Sequence, residues 1–168
     1  LGIIFLGGSR EDFSEDTSSF KVPCVIVTTS AENWSMEELS SVAIDDEKAG
    51  ETIVDYLIEH GHTKIAEIGA NLELSQTAIL RHNGYLNSFK KHGITPDERY
   101  YERARFSYDS AYRAMKKLLE KNIEITAVYA ISDVMAIGAI RAILDKGLRV
   151  PEDISITGFD GSTLAEYY

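Results

Sequence analysis

The chain has 168 residues, of which 44% are hydrophobic and 26% are charged, and its formal net charge is −10 at pH 7. This composition is that of an ordinary globular protein with a full hydrophobic core. No run approaches the roughly 18 apolar residues that cross a bilayer, and no signal peptide opens the chain. The negative net charge predicts that these residues bind DNA and anionic membranes poorly. Cys24 is the single cysteine, which excludes a disulfide framework and is typical of a reducing compartment.

Two short apolar runs open the chain. Leu1–Leu6 and Val22–Val27 have the length of strands, and the acidic, Ser-rich stretch between them (9–19) is predicted to be a short or poorly formed helix. Residues 28–39 are mostly polar and are predicted to form a surface excursion, in which Trp34 either stacks on a ligand or anchors the loop. Because the chain has no initiator Met and begins inside a predicted strand, we expect it to be a fragment of a longer protein.

From Asp45 onwards, helix and strand patterns alternate. Apolar residues recur at helical spacing, and glycines such as Gly61 and Gly147 stand where a left-handed residue ends a helix. The alternation predicts an α/β fold with a parallel sheet covered by helices on both faces. Helices are predicted from Asp45 to Gly61, from Ser75 to Gly93, from Ser107 or Asp109 through Leu119, and from Val134 to Gly147, and strands at Ser41–Ile44, Ile65–Ile68, Tyr100–Phe106, Ala127–Ile131 and Ile154–Thr157.

Polar residues follow the last two predicted strands. Ser132 and Asp133 come directly after Ala127–Ile131, and Asp160 closes the next strand. The carboxyl ends of parallel strands meet at one edge of the sheet, and ligands bind at that edge in open α/β sheets. We therefore predict a binding cleft there. Ser132 is also a good helix N-cap, and Asp133 has the charge that favours a helix N-terminus.

Several blocks of sequence resemble one known family. They are residues 43–50 (AIDDEKAG), 56–66 (YLIEHGHTKIA), Arg81 with Gly84-Tyr85, 132–138 (SDVMAIG) and 147–155 (GLRVPEDIS). With these blocks in this order and at these separations, the chain from about Val22 to Tyr168 resembles the effector-binding domain of the lactose-repressor/galactose-repressor (LacI/GalR) family of bacterial transcription regulators.

The resemblance implies a periplasmic-binding-protein-like architecture, in which two similar lobes enclose a small-molecule cleft. It implies that residues 1–44 belong to the N-terminal lobe, which is incomplete, and that residues 45–168 form most of the C-terminal lobe. It also implies that the protein is a cytoplasmic homodimer without a membrane partner. Operator DNA would be bound only through a helix-turn-helix domain that is missing from this chain.

The resemblance implies two principal ligand contacts. Arg81 stands three residues before Gly84, where the family places a ligand-binding arginine, and Asp160 matches an aspartate at the end of Gly-Phe-Asp. A guanidinium donates a planar fork of hydrogen bonds, and a carboxylate accepts them from hydroxyls or an amine. The alternatives are a surface salt bridge for Arg81 and a turn-forming role for Asp160 before Gly161, where the family often has a second aspartate.

Further candidates follow from the same resemblance. Ser132 stands where relatives often carry a ligand-binding asparagine, and a simple N-cap role is the alternative. Phe106 occupies the position of an aromatic residue that stacks on the ligand, and core packing is its alternative. The remaining candidates are Ser75 and Thr77, which match hydroxyl contacts, and Thr28 and Ile44, which would line the cleft from the first lobe.

These features predict an effector-sensing domain that binds a small polar metabolite, either a sugar or a nucleoside-like molecule, and controls operator binding allosterically. A periplasmic sugar-binding protein of a transporter is the alternative. An enzyme or phosphoacceptor would depend on Asp45 and Asp46, but these residues have the character of a helix start. No metal site is predicted, because His60 and His62 lack further ligands nearby. No catalytic residue and no cofactor are predicted either.

Overall fold

The computed structural model describes residues 1–7, 21–31, 39–73 and 75–168. The predicted helix at 9–19 and Trp34 lie outside these ranges. The strands of the described part are β1 (Ile3–Leu6), β2 (Cys24–Val27), β3 (Leu39–Val42), β4 (Ile65–Gly69), β5 (Tyr101–Arg103), β6 (Ala127–Ala130) and β7 (Ser155–Thr157). The helices are α1 (Asp46–Glu59), α2 (Gln76–Lys91), α3 (Tyr108–Glu120) and α4 (Asp133–Asp145), with short 3₁₀ helices at Glu98–Tyr100 and Thr163–Tyr167.

The first sheet has three parallel strands in the order β1-β2-β3. Strand β3 begins two residues earlier than predicted, because Leu39 pairs with Cys24 and Val42 pairs with the last residue of β2. Ala43 and Ile44, which were predicted to be in this strand, therefore lie beyond it. They lead the chain towards the second sheet.

The second sheet has four parallel strands in the order β5-β4-β6-β7. The chain moves from β4 to β5 in one direction and then to β6 and β7 in the other. Because such crossovers are right-handed, α2 covers one face of the sheet, and α3 and α4 cover the other. Helix α1 packs against α2, and α3 packs against α4. The predicted α/β fold with helices on both faces is confirmed in this sheet, and a ligand crevice is expected between β4 and β6, where the strand order reverses.

Two glycines bring the backbones of α1 and α2 into contact. A Cβ atom on Gly84 would lie 2.3 Å from the carbonyl oxygen of Glu47, and one on Gly50 would lie 2.9 Å from the carbonyl oxygen of Arg81. No other residue type fits at these crossings without a shift of the backbone. The first turns of α1 are therefore held beside the turn of α2 that carries Arg81.

One further local prediction was wrong. The predicted strand Tyr100–Phe106 is reduced to the three residues of β5, because Glu98–Tyr100 forms a 3₁₀ helix and pairing with β4 ends at Arg103. None of the helices in the described ranges is sufficiently long and apolar to cross a membrane.

The core of the second sheet contains a buried acid. Glu67, in β4, is 1% exposed, and its Oε2 atom lies 2.6 Å from Nδ1 of His82 in α2. Burial raises the pKa of Glu67, although the hydrogen bond with His82 opposes this shift. The same hydrogen bond raises the pKa of His82. Folding therefore favours protonation of both groups.

We predict that this pair makes stability depend on pH. The stabilisation is fully present below the unfolded pKa of His82, about 6.5, and is lost as the pH rises through the higher folded-state pKa. The free energy of unfolding, measured by urea titration, should therefore fall as the pH rises above about 6.5. The fall should be smaller in His82→Gln and unchanged in His62→Gln, which alters a histidine outside this pair. Equal pH dependence in the wild type and His82→Gln would contradict the prediction.

Candidate functional site

A cleft of about 540 Å³ lies where the carboxyl ends of the two sheets face each other. This volume is in the usual range for a small-molecule site. All eight candidate residues from the sequence line the cleft. The lining residues are Val27, Thr28, Val42, Ala43 and Ile44 from the side of the first sheet, and Asp46, Ser75, Thr77, Arg81, Phe106, Ser132, Val134 and Asp160 from the side of the second.

Arg81 is buried at the base of the cleft and is only 8% exposed. Its Nε atom donates to Oδ1 of Asp46 at 2.8 Å, and Nη1 donates to the carbonyl oxygen of Ile131. The guanidinium carbon lies 3.3 Å from the centroid of the Phe159 ring, an arrangement that favours a cation. Nη1 is also 3.6 Å from Oδ1 of Asp160. The alternative of a surface salt bridge for Arg81 is therefore wrong.

Asp46, the partner of Arg81, was not predicted from the sequence. Asp45 is the N-cap of α1 and accepts a hydrogen bond from the backbone of Lys48 at 2.9 Å. Asp46 then points into the protein and is 4% exposed, although three adjacent acids are more often a solvated helix start. The available signal was Arg81 itself, because a buried guanidinium requires a carboxylate. Because Asp46 is buried and paired with Arg81, it is not available as the phosphate-accepting acid of the phosphoacceptor hypothesis.

Asp160 extends from the loop after β7 and keeps 45% of its side chain exposed. Its Oδ2 atom accepts a hydrogen bond from the backbone N–H of Asp133 at 3.1 Å, at the N-terminus of α4. One oxygen is thereby fixed by the helix, while the other lies 3.6 Å from Nη1 of Arg81 on the same side of the cleft. The carboxylate has room to accept hydrogen bonds from a ligand.

Ser132 occupies the N-cap position of α4, but its side chain makes no capping hydrogen bond. The N-cap alternative for this hydroxyl is therefore wrong. The residue is 2% exposed, and Oγ has no hydrogen-bond partner in the described part of the chain. A buried polar group without a partner costs about 1–3 kcal/mol. Such a group at the wall of a cleft indicates a place for a ligand or water.

Asp133 holds the loop that carries Asp160. It is 5% exposed, and its carboxylate accepts hydrogen bonds from the backbone N–H groups of Phe159 at 3.0 Å and Ser162 at 2.6 Å. Burial raises the pKa of Asp133, but these hydrogen bonds outweigh it, and the pKa is lowered. Asp133 was predicted to supply only a favourable charge at a helix N-terminus. Its role depends on a contact across 26 residues or more, which no local pattern indicates.

Ser75, Thr77, Phe106 and Thr28 also line the cleft. Ser75 caps α2 and accepts a hydrogen bond from the backbone of Ala78 at 3.2 Å, and Thr77 follows in the first turn. Phe106 is 46% exposed, so core packing, its alternative, is wrong. Its ring is available to a ligand. On the opposite wall, Thr28 has a φ of +79°, a region that β-branched residues rarely adopt, which is typical of functional sites.

Comparison with known proteins assigns the chain to a family. Residues 54–168, about two thirds of the chain, match the periplasmic binding protein-like domain. The chain belongs to this family. The resemblance of the sequence to LacI/GalR regulators is also confirmed, because the proteins it matches include regulators of that family.

Three relatives illustrate how far the likeness extends. The chain is 37% identical over 169 residues to the HTH-type transcriptional regulator MalR of Clostridium butyricum, covering 99% of this chain and 50% of MalR. A sugar-binding transcriptional regulator of the LacI family from Escherichia coli, complexed with phosphate, superposes with a TM-score of 0.86 at 27% identity, over 99% of this chain and 59% of that one. The regulator CelR in complex with cellobiose gives a TM-score of 0.86 at 33% identity, over 99% and 50% of the two chains. This periplasmic binding protein-like domain thus spans about half the length of MalR.

We predict that Asp133→Ala destabilises this periplasmic binding protein-like domain by about 1–3 kcal/mol, because two backbone donors lose a buried acceptor. Since the pKa of Asp133 is lowered, its stabilisation is present above the unfolded pKa and lost as the pH falls. Urea titration at neutral and acidic pH measures both effects. Asp145→Ala, at the exposed end of the same helix, is the control. An equal loss in the two variants would contradict a specific role for Asp133.

Proposed function

We propose that this domain is the effector sensor of a bacterial transcription regulator. By this proposal, residues 1–44 belong to the first lobe and residues 45–168 to the second, and a small polar metabolite binds between them. A helix-turn-helix domain outside these residues binds operator DNA. The full-length protein is a cytoplasmic homodimer, and its partners are the effector and the operator.

The observation that carries the proposal is the set of polar groups around Arg81. The Asp46 carboxylate neutralises this arginine, and within the described residues no hydrogen bond uses its Nη2 atom. Asp160 offers a partly exposed carboxylate 3.6 Å from Nη1, and Ser132 offers an unpaired hydroxyl. Donors and acceptors so close together suit neighbouring hydroxyl groups, such as those of a sugar or a ribose.

The surroundings of these groups also suit a sugar-sized ligand. The half-exposed ring of Phe106 is able to cover an apolar ring face, and Val134 and Ile44 add apolar surface. A site of this composition binds and orients a polar molecule without chemistry. CelR, one of the relatives, was solved with cellobiose, so cellobiose belongs among the first molecules to be tested.

Control of DNA binding would follow from contacts on both sides of the cleft. A ligand held by residues from both sheets binds best when the two sheets are close, and it therefore favours that arrangement. Residues 43–45, which join the two, are exposed and lie outside the strands and helices. By linkage, operator binding would change effector affinity by the same factor. The relatives named above are regulators, which favours this function over a transporter's sugar-binding protein.

The first test is a thermal-shift screen of the domain against monosaccharides, disaccharides that include cellobiose, and nucleosides. A ligand at about 100 times its Kd should stabilise the fold by about 2.7 kcal/mol. The selected ligand should then change the affinity of the full-length protein for its operator. If no member of these classes stabilises the domain, the proposed ligand class is wrong. If a ligand binds without changing operator affinity, the regulatory role is wrong.

Arg81→Ala should weaken binding of the selected ligand by roughly 2–5 kcal/mol, measured by calorimetry. The variant should also lose thermal stability, because Asp46 is left buried without its cation. Combining Arg81→Ala with Asp46→Asn should restore part of the stability but not the affinity. Unchanged ligand affinity in a folded Arg81→Ala variant would remove this residue from the site.

Ser132→Ala separates ligand contact from structure. Its hydroxyl has no partner within the described residues, so the melting temperature should stay the same or rise. Ligand affinity should fall by about tenfold, the effect of one lost hydrogen bond. Ser155→Ala, in β7 and away from the cleft lining, is the matched control. Destabilisation with full affinity would assign Ser132 a structural role.

A further inference from the structure

A second cavity, of about 450 Å³, opens beside the cleft. We call it the arginine-lined cavity. Its lining includes Arg103 and Arg105 at the end of β5, Asn71 after β4, and Ser110 in the first turn of α3. Ser75 and Phe106 line both this cavity and the cleft, so the two spaces share a wall. The two spaces are therefore adjacent, separated only by these two side chains.

The charge of the arginine-lined cavity is opposite to that of the chain. The protein has a net charge of −10, yet among the described residues that line this cavity two are arginines and none is acidic. Neither Arg103 nor Arg105 forms an ion pair within the described ranges. Two cations without counter-ions at one concave surface favour the binding of an anion.

The nearby acids are already paired with other cations. Glu102 forms an ion pair with Lys121, in which Oε1 and Nζ are 2.9 Å apart. Asp109 forms an ion pair with Arg113 on the next turn of α3. Because of these ion pairs, the carboxylates next to the two arginines in the sequence do not neutralise them. The positive charge of the cavity therefore remains available to a ligand.

The backbone around the cavity strengthens this preference. Helix α2 begins at Gln76 after its cap Ser75, and α3 begins at Tyr108, so two helix N-termini border the space. The positive ends of helix dipoles add to the field of the arginines. The backbone N–H of Arg105 donates to Oγ of Ser110 at 2.9 Å, which fixes the loop that carries both arginines.

We infer that the arginine-lined cavity binds an oxyanion carried by the effector, either a phosphate ester or a carboxylate. The inference rests on the proposed function, because it assigns the cleft to the hydroxyl-bearing part of the same molecule. The effector class is then a sugar or nucleoside with an anionic substituent. Planar guanidinium forks suit both phosphate and carboxylate oxygens.

The test uses calorimetry on the wild type, on Arg103→Gln/Arg105→Gln, and on Arg141→Gln, which alters an arginine of α4 outside the lining. The probes are inorganic phosphate and panels of neutral sugars and nucleosides, each matched with its phosphate ester and, for the sugars, its uronic acid. We expect an ester or an acid to bind more tightly than its neutral parent. The double variant should lose this advantage, by about tenfold or more, and Arg141→Gln should retain it. The preferred probe of each pair distinguishes phosphate from carboxylate.

The outcomes separate the inference from the proposed function. A neutral sugar that binds as tightly as its charged forms, with equal affinity in the double variant, would overturn the inference and leave the proposed function standing. A different outcome is that inorganic phosphate binds but no sugar or nucleoside does. If the double variant alone then loses phosphate binding, the anion site is supported and the proposed function fails. A preference for the ester or the acid that is unchanged in the double variant, or phosphate binding that is unchanged in that variant, overturns the anion site.

Discussion

The pairing of Arg81 with Asp46 is the interaction on which the cleft depends. A guanidinium with 8% exposure has lost most of its hydration, and only close partners compensate for that loss. These partners come from α1, from the carbonyl at the end of β6 and from the ring of Phe159 after β7. One side chain of α2 thus joins three other segments at the carboxyl end of the sheet, and the position of Asp160 follows from the same arrangement.

Charge is distributed unevenly between the cleft and the cavity beside it. In the cleft, two carboxylates surround one guanidinium, and the Asp160 carboxylate remains partly exposed. In the arginine-lined cavity, two arginines stand without acids among the described lining residues. The boundary between the two is formed by Ser75 and Phe106, a hydroxyl and a ring. A molecule that spans both spaces is therefore oriented by its own charge distribution.

Much of the second sheet could be predicted from the sequence because its signals are local. The helical spacing of apolar residues, the caps at Asp45 and Ser75 and the glycine at position 147 set the elements. The edge that gathers Ser132 and Asp160 followed from strand order alone. The resemblance to LacI/GalR regulators supplied Arg81, since a single arginine in a helix does not otherwise indicate a site.

The failures came from contacts between segments distant in the chain. The bounds of β3 are set by its register with β2, and the pairing of Asp46 with Arg81 spans 35 residues. The N-cap alternative for Ser132 failed because Asp160 supplies the acceptor at the start of α4 that a serine usually provides. The hydrogen bonds that Asp133 makes to the loop after β7 were not predicted. Arg103, the last residue of β5, and Arg105, which follows this strand, were not predicted as site residues. Their significance depends on which acids lie near them in space.

The backbone contact of α1 with α2 at Gly50 and Gly84 has a consequence for binding thermodynamics. Since the helices meet without intervening side chains, the turn of α2 that bears Arg81 has little freedom relative to Asp46. The conformational entropy of the guanidinium is therefore lost when the chain folds rather than when a metabolite arrives. A larger residue at Gly50 or Gly84 would give the Arg81 side chain more conformational freedom in the ligand-free protein. Ligand affinity would then fall, although neither glycine lines the cleft.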